Sequence, residues 1–169
     1  MHTPSKIVTA LASVLAMATV TTAEARSGSI KARGPNGAVS AKSGSNGTMV
    51  RGQSTVQNED GSTTRRSGAA FQGANGSQGQ RQSTTTVSPD GSVSRSGDAS
   101  VTGPNGTASS AGGFQRSADG TWSGSRSTSG TNANTGTSYS GSTTIDPATG
   151  KPVHSSTCTD ASGAVIPCG

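Results

Sequence analysis

The basic residues of this chain recur at a fixed place. Lys42, Arg51, Arg65, Arg66, Arg81, Arg95 and Arg126 each follow the Asn or Asp of an Asx-Gly dipeptide by five to seven residues. If the intervening segments stack side by side, these cations form a stripe, and a stripe of cations binds anions. Phe71, Phe114, Trp122 and Tyr139 are interleaved with them. Arginine beside an aromatic ring is an arrangement that stacks on sugars or bases. The expected partners are an anionic polysaccharide, cell-surface phosphate groups or extracellular nucleic acid, together with self-association. The same charges have a plainer use as gatekeepers, keeping flat strands soluble and blocking aggregation.

Reactive centres are otherwise hard to assemble from this chain. His154 has no Ser and Asp partners at a recognisable spacing, which argues against a catalytic triad. One histidine with Cys158 and Cys168 makes too few ligands for a structural zinc site. The Asp residues come one per turn, without the Gly-rich, Asp-rich repeat of calcium-binding β-rolls. No phosphate loop or dinucleotide fingerprint occurs. The expectation is a non-enzymatic protein with no cofactor and no metal. Cys158 and Cys168 flank "TDASGAVIP", a turn sequence, and in an oxidising compartment they are expected to close a disulfide.

The destination is written at the N-terminus. Met1–Ala25 reads as a secretory signal peptide: Lys6 gives the positive start, Ile7–Val20 the apolar run, and Ala23-x-Ala25 the cleavage signal. The apolar run is short for a bilayer of about 30 Å, so no stable membrane insertion is expected after cleavage. The chain is then secreted or periplasmic.

Past that leader there is no leucine, and the whole chain is 27% hydrophobic and 2% aromatic, with 25 glycines and a net charge of +5. Ordering costs about 1–2 kcal/mol per residue, and so few apolar side chains cannot offset it with an ordinary core. This composition permits disorder, but the spacing of turn signals argues for a repeat. Asp-Gly falls at Asp60, Asp90 and Asp119; Asn-Gly falls at Asn46, Asn75 and Asn105. The two series alternate, with like-to-like steps close to 30 residues. "SPDG" (Ser88–Gly91) has Pro, Asp and Gly where a type I turn with a bulge wants them, and "GPNG" (Gly103–Gly106) reads the same way. Between turns the residues alternate: Val93, Arg95, Gly97, Ala99 and Val101 share one face, with serine, threonine and Asp98 on the other.

The fold expectation is therefore all-β: an antiparallel β-meander or β-solenoid of roughly 15-residue strand-turn half-repeats, the alternative being a largely disordered chain. Residues 1–25 are the leader, 26–45 an irregular Gly/Ser-rich segment, 46–150 the repeat region and 151–169 a disulfide-closed hairpin. Small-residue faces stack closely, as in silk-like sheets. These features suit a structural, matrix or surface-coating protein that assembles through β-structure. The Gly/Ser/Asn-rich strand-turn repeat broadly resembles that of curli-like functional amyloid subunits, but it lacks their Gln/Asn ladder at fixed positions, and no residue roles carry over.

Overall fold

The structure is a computed structural model and describes residues 27–168. The signal-peptide reading of Met1–Ala25 falls outside the described residues. The described chain is one open sheet of eleven antiparallel strands in sequence order. They are β1 (Gly28–Gly34), β2 (Gly37–Gly44), β3 (Gly47–Gln57), β4 (Thr63–Gly73), β5 (Gln78–Val87), β6 (Val93–Gly103), β7 (Gly106–Arg116), β8 (Trp122–Asn132), β9 (Ser138–Ile145), β10 (Pro152–Thr159) and β11 (Val165–Ile166). Of the two architectures expected, this is the meander. Tight loops can join only antiparallel neighbours, because a parallel pair needs a long crossover.

The turns explain the alternating series. In Asn58–Ser62, the Gly61 N–H donates to the Asn58 carbonyl at 3.1 Å and the Asn58 N–H to the Ser62 carbonyl at 2.8 Å. The Asp60 carboxylate accepts from both the backbone N–H and the hydroxyl of Ser62, at 2.9 and 2.6 Å. The same device recurs with Asp90 on Ser92 and Asn75 on Ser77. The glycine ending such a turn is left-handed, as at Gly91 with φ of 83°. That is the bulged type I hairpin expected for "SPDG". "GPNG" differs from the expectation. Gly103 pairs directly with Gly106 across a two-residue loop, and Gly106 has φ of 134°, outside the left-handed helical well. Its reason lies in the next hairpin: the Asn105 carbonyl accepts the Ala133 N–H at 2.9 Å, which stitches the loop to the neighbouring turn.

Since consecutive strands run in opposite directions, the alternating turns separate onto opposite rims. Asp60, Asp90, Asp119 and Asp146 stand on one rim, and Asn46, Asn75, Asn105 and Asn134 on the other. Asp160, in the last turn, joins the Asn rim.

Residues 26–45 correct the sequence reading. They hold two paired strands, with Gly28 opposite Ser43 and Gly34 opposite Gly37, rather than an irregular segment. The short step between "GPNG" at Gly34–Gly37 and Asn46 simply makes shorter strands. At the far end, β10 pairs with β9 over its whole length, and β11 adds two residues to it. Cys158 and Cys168 are disulfide-bonded, with their Cα atoms 5.3 Å apart.

No second layer covers either face, and among the described residues no hydrophobic side chain is buried. Ser62 and Thr64, at 3% and 8% exposed, are the buried polar residues, and Asn58 bonds both hydroxyls. The backbone ladder carries the order. Hydroxyl pairs across strands add to it: Ser67 with Ser83 and Ser109 with Ser129, both at 2.9 Å, and Ser142 with Ser155 at 2.8 Å.

Two predictions follow from the turns and the disulfide. Hydrogen bonds from the Ser62 and Ser92 hydroxyls hold Asp60 and Asp90 below the ordinary aspartate value of 3.8, and the Thr121 and Ala148 backbone N–H groups do the same for Asp119 and Asp146. A lowered folded-state value means stability that is complete above pH 3.8 and lost as pH falls through the lowered values. Urea midpoints should be flat down to about pH 5 and fall below pH 4, with Asp60→Asn and Asp90→Asn flattening the fall. Reducing Cys158–Cys168, which closes a loop of 10 residues, should cost about 2–3 kcal/mol of terminal stability. Amide exchange should accelerate in β10 and β11 and stay unchanged in β4–β7.

A one-sided cationic face as candidate binding surface

Because partners in adjacent strands share a face, the register fixes which residues are neighbours. Arg65 stands opposite Thr85, Thr85 opposite Arg95, and Arg95 opposite Phe114. A parallel row runs from Lys31 through Ser40, Arg51, Ala69, Arg81 and Ala99 to Ser110. Another takes in Arg33, Ala38, Gln53, Ser67, Ser83, Gly97, Gly112 and Arg126. Lys42 lies across from Met49, and Met49 from Phe71. Arg116 lies across from Trp122. Alternation along each strand puts all of these residues, with Tyr139, on the same side of the sheet. We call it the cationic face.

The opposite face is a field of small polar groups. Its rows include Thr64–Thr86–Ser94 and Ser100–Ser109–Ser129–Ser140. Arg66 and Asp98 are its charged residues, and Arg66 is the strand cation absent from the cationic face. The remaining described acids sit in turns: Glu59, Asp60, Asp90, Asp119, Asp146 and Asp160. Strand cations are thus gathered on one face, while the acids are held at the rims or behind it.

The single stripe expected from the sequence becomes a lattice. Two rows alternate charged with neutral residues over part of their length, Arg65–Thr85–Arg95 and Lys31–Ser40–Arg51–Ala69–Arg81. Successive antiparallel hairpins displace the arginines of adjacent strands to different rows. In these two rows successive cations lie two strands apart, about 9.6 Å rather than 4.8 Å. That spacing relieves the repulsion a continuous stripe would create. All of these cationic side chains are exposed. Neutral neighbours hold some of them in place: Arg65 Nη2 donates to Gln53 Oε1 at 2.9 Å, and Arg126 Nε to the Ser110 hydroxyl at 2.7 Å.

The aromatic residues have a local purpose as well. A Cβ on Gly79 would meet the Phe71 ring at 2.5 Å, and one on Gly124 would meet the Phe114 ring at 2.7 Å. Gly141 is buried beneath the Tyr139 ring. Each ring covers backbone that a glycine leaves bare, the pairing used to rescue glycines in sheets. Tyr139 also fills one wall of a shallow depression of about 270 Å³ with Val101, Ala108 and Gly130. Trp122 is 49% exposed and stands at the Asp rim beside Arg116. His154, which the sequence left without a role, bonds the Thr143 hydroxyl through Nδ1 at 3.1 Å.

Lys31, Arg33 and Arg116 belong to this face and were missed in the sequence. The first two precede any turn signal, and Arg116 precedes its Asp turn instead of following it. Strand alternation measured from Phe114 was the signal available for Arg116. Among the described residues no three of His, Cys, Asp and Glu come together in a group suited to a metal ion. No helix there is long and apolar enough to cross a membrane. The disulfide is compatible with an extracellular or periplasmic location. Compared with protein families, curated proteins and solved structures, the chain matches none.

Gly79→Val should displace the Phe71 ring and lower stability by about 1–3 kcal/mol. Gly76→Ala, at a turn glycine with φ of 81° and nothing within 4 Å of the added Cβ, should cost about 1–2 kcal/mol through backbone strain alone. Denaturant midpoints measure both, and only Gly79→Val should shift the Phe71 ring resonances.

Proposed function

We propose that this chain is an exported, non-enzymatic matrix or surface-coating protein that lays its cationic face on an acidic polysaccharide. The observation that carries this reading is the segregation of charge. Every strand cation except Arg66 lies on one face, and no acid shares it. A gatekeeping role needs charge on strands but gives no reason to keep it on one side. Exposed aromatic surface beside the cations, at Phe71 and Trp122, suits contact with sugar rings. Export follows from the Met1–Ala25 leader, and the terminal disulfide fits an oxidising destination.

The spacing favours a sparsely charged polymer. Nucleic acid carries a phosphate about every 3.4 Å along each strand. The cations of the Lys31–Arg51–Arg81 and Arg65–Arg95 rows repeat about every 9.6 Å. A polysaccharide with one acid group per disaccharide is sparse in the same sense. Contact along a broad flat face would make affinity a sum of many weak, salt-sensitive terms.

Retention on an immobilised acidic polysaccharide, eluted with a salt gradient, tests the reading. Replacing Arg65, Arg81 and Arg95 together by Ser should move elution to markedly lower salt. Arg66→Ser should leave elution nearly unchanged. Equal loss from Arg66→Ser would show that net charge rather than the face is responsible. Stronger retention on single-stranded DNA of matched charge would replace the polysaccharide with nucleic acid.

A further inference from the structure

The opposite face raises a separate question. A single sheet with no buried apolar side chain leaves both of its surfaces in water, and stable β-architectures cover at least one. The hydroxyl face exposes Ile30, Val39, Val50 and Val56 at 74%, 44%, 39% and 43%. These four lie on β1–β3; Val153 on β10 and Val165 on β11, at 52% and 75%, stand on the same face, and the small hydroxyl side chains of β6–β10 continue the surface. We infer that this face packs against the same face of a second copy of the chain, giving a two-layer sandwich with both cationic faces outward.

Charge selects the face. Stacking cationic faces would bring like charges together without counterions, whereas the hydroxyl face carries one cation, Arg66, and one anion, Asp98. These two residues also suit a two-fold pairing. Arg66 is on β4 and Asp98 on β6, either side of β5, where Thr84 and Gln82 are their respective row partners. A two-fold axis running along β5 lays β4 of one copy over β6 of the other. Arg66 then reaches toward Asp98 of the partner copy, and the contact occurs twice. Within one copy, Asp98 accepts a bond from Gln82 Nε2 at 2.9 Å.

Area and edges point the same way. The nine strands centred on β5, β1–β9, of 7–11 residues, at about 4.8 Å between strands and 3.3 Å per residue, cover on the order of 1,000 Å². A stable interface needs about 800 Å² from each partner. Growth in the plane of the sheet is opposed at both ends. β1 presents Lys31 and Arg33 at its edge, and the other edge is the two-residue β11, next to the Cys158–Cys168 disulfide. The inference is independent of what the cationic face binds.

Sedimentation equilibrium on the purified protein tests it. The expected result is a dimer in the micromolar range. Asp98→Lys, which puts two cations on each apposed face, should raise the dissociation constant at least about tenfold, and adding Arg66→Glu should restore it. Ala108→Arg, on the cationic face, should leave it unchanged. The unsubstituted chain offers a second measurement: arginine-directed labelling should spare Arg66 as concentration rises while Arg81 and Arg95 react at a constant rate. A monomer at every concentration, a dimer indifferent to Asp98→Lys, failure of the charge swap to restore it, or Arg66 labelled as fast as Arg95 throughout would each overturn the proposal.

Discussion

The interstrand backbone ladder is the interaction on which everything else here depends. The described residues, poor in large apolar side chains, bury none of them in a core, and burial contributes little to their order. What remains is hydrogen bonding between adjacent strands, and that pairing is set by where the hairpins close. Bulged turns at Asn58–Ser62, Gly73–Ser77 and Ser88–Ser92 fix both ends of β4 and β5 to the residue. Turn chemistry therefore does the work that side-chain packing does in most domains. Order of this kind is built from nearest-neighbour terms, as in repeat proteins.

From that constraint the surface follows. A one-residue slip in register would move every side chain to the opposite face. Arg65, Arg81 and Arg95 share a face because the two hairpins joining β4, β5 and β6 pair Thr85 with both Arg65 and Arg95, and Arg81 with Ala69. The turn lengths thus set the positions of the cations as firmly as the strands do. They also put Asp60, Asp90, Asp119 and Asp146 on one rim, where hydrogen bonds from the Ser62 and Ser92 hydroxyls and from the Thr121 and Ala148 backbone N–H groups stabilise the charged form. The acids thereby act as turn-holding groups and stay clear of the face that would otherwise lose its positive potential.

Much of this was legible in the sequence. Asx-Gly spacing announced the hairpins, and period-two alternation correctly assigned Val93, Arg95 and Val101 to one face, with Asp98 on the other. Arg65 and Arg66 are adjacent in the chain, so alternation alone sends one of them to each face. What could not be read was the arrangement between strands. Whether Arg65 faces Arg81 or Thr85 depends on loop lengths that differ by a residue or two, and local sequence does not announce them. Residues 26–45 looked irregular because the close spacing of Asn36 and Asn46 breaks the 15-residue step, yet short strands satisfy the ladder equally well. Phe71, Phe114 and Tyr139 drew attention as stacking groups, while the glycines beneath them, on neighbouring strands or two residues along, gave no signal of their own. Each pair is one feature, a bare backbone and the ring that covers it.

The central claim is that turn-fixed register places the cations on one side of a single sheet. Nuclear Overhauser contacts across the strands test it most directly. The account predicts a continuous row of side-chain contacts from Arg65 to Thr85, Thr85 to Arg95 and Arg95 to Phe114, with Arg66 in contact with Thr84 and absent from that row. Coil-like chemical shifts without cross-strand contacts, or a register that puts Arg66 into the Arg95 row, would contradict it.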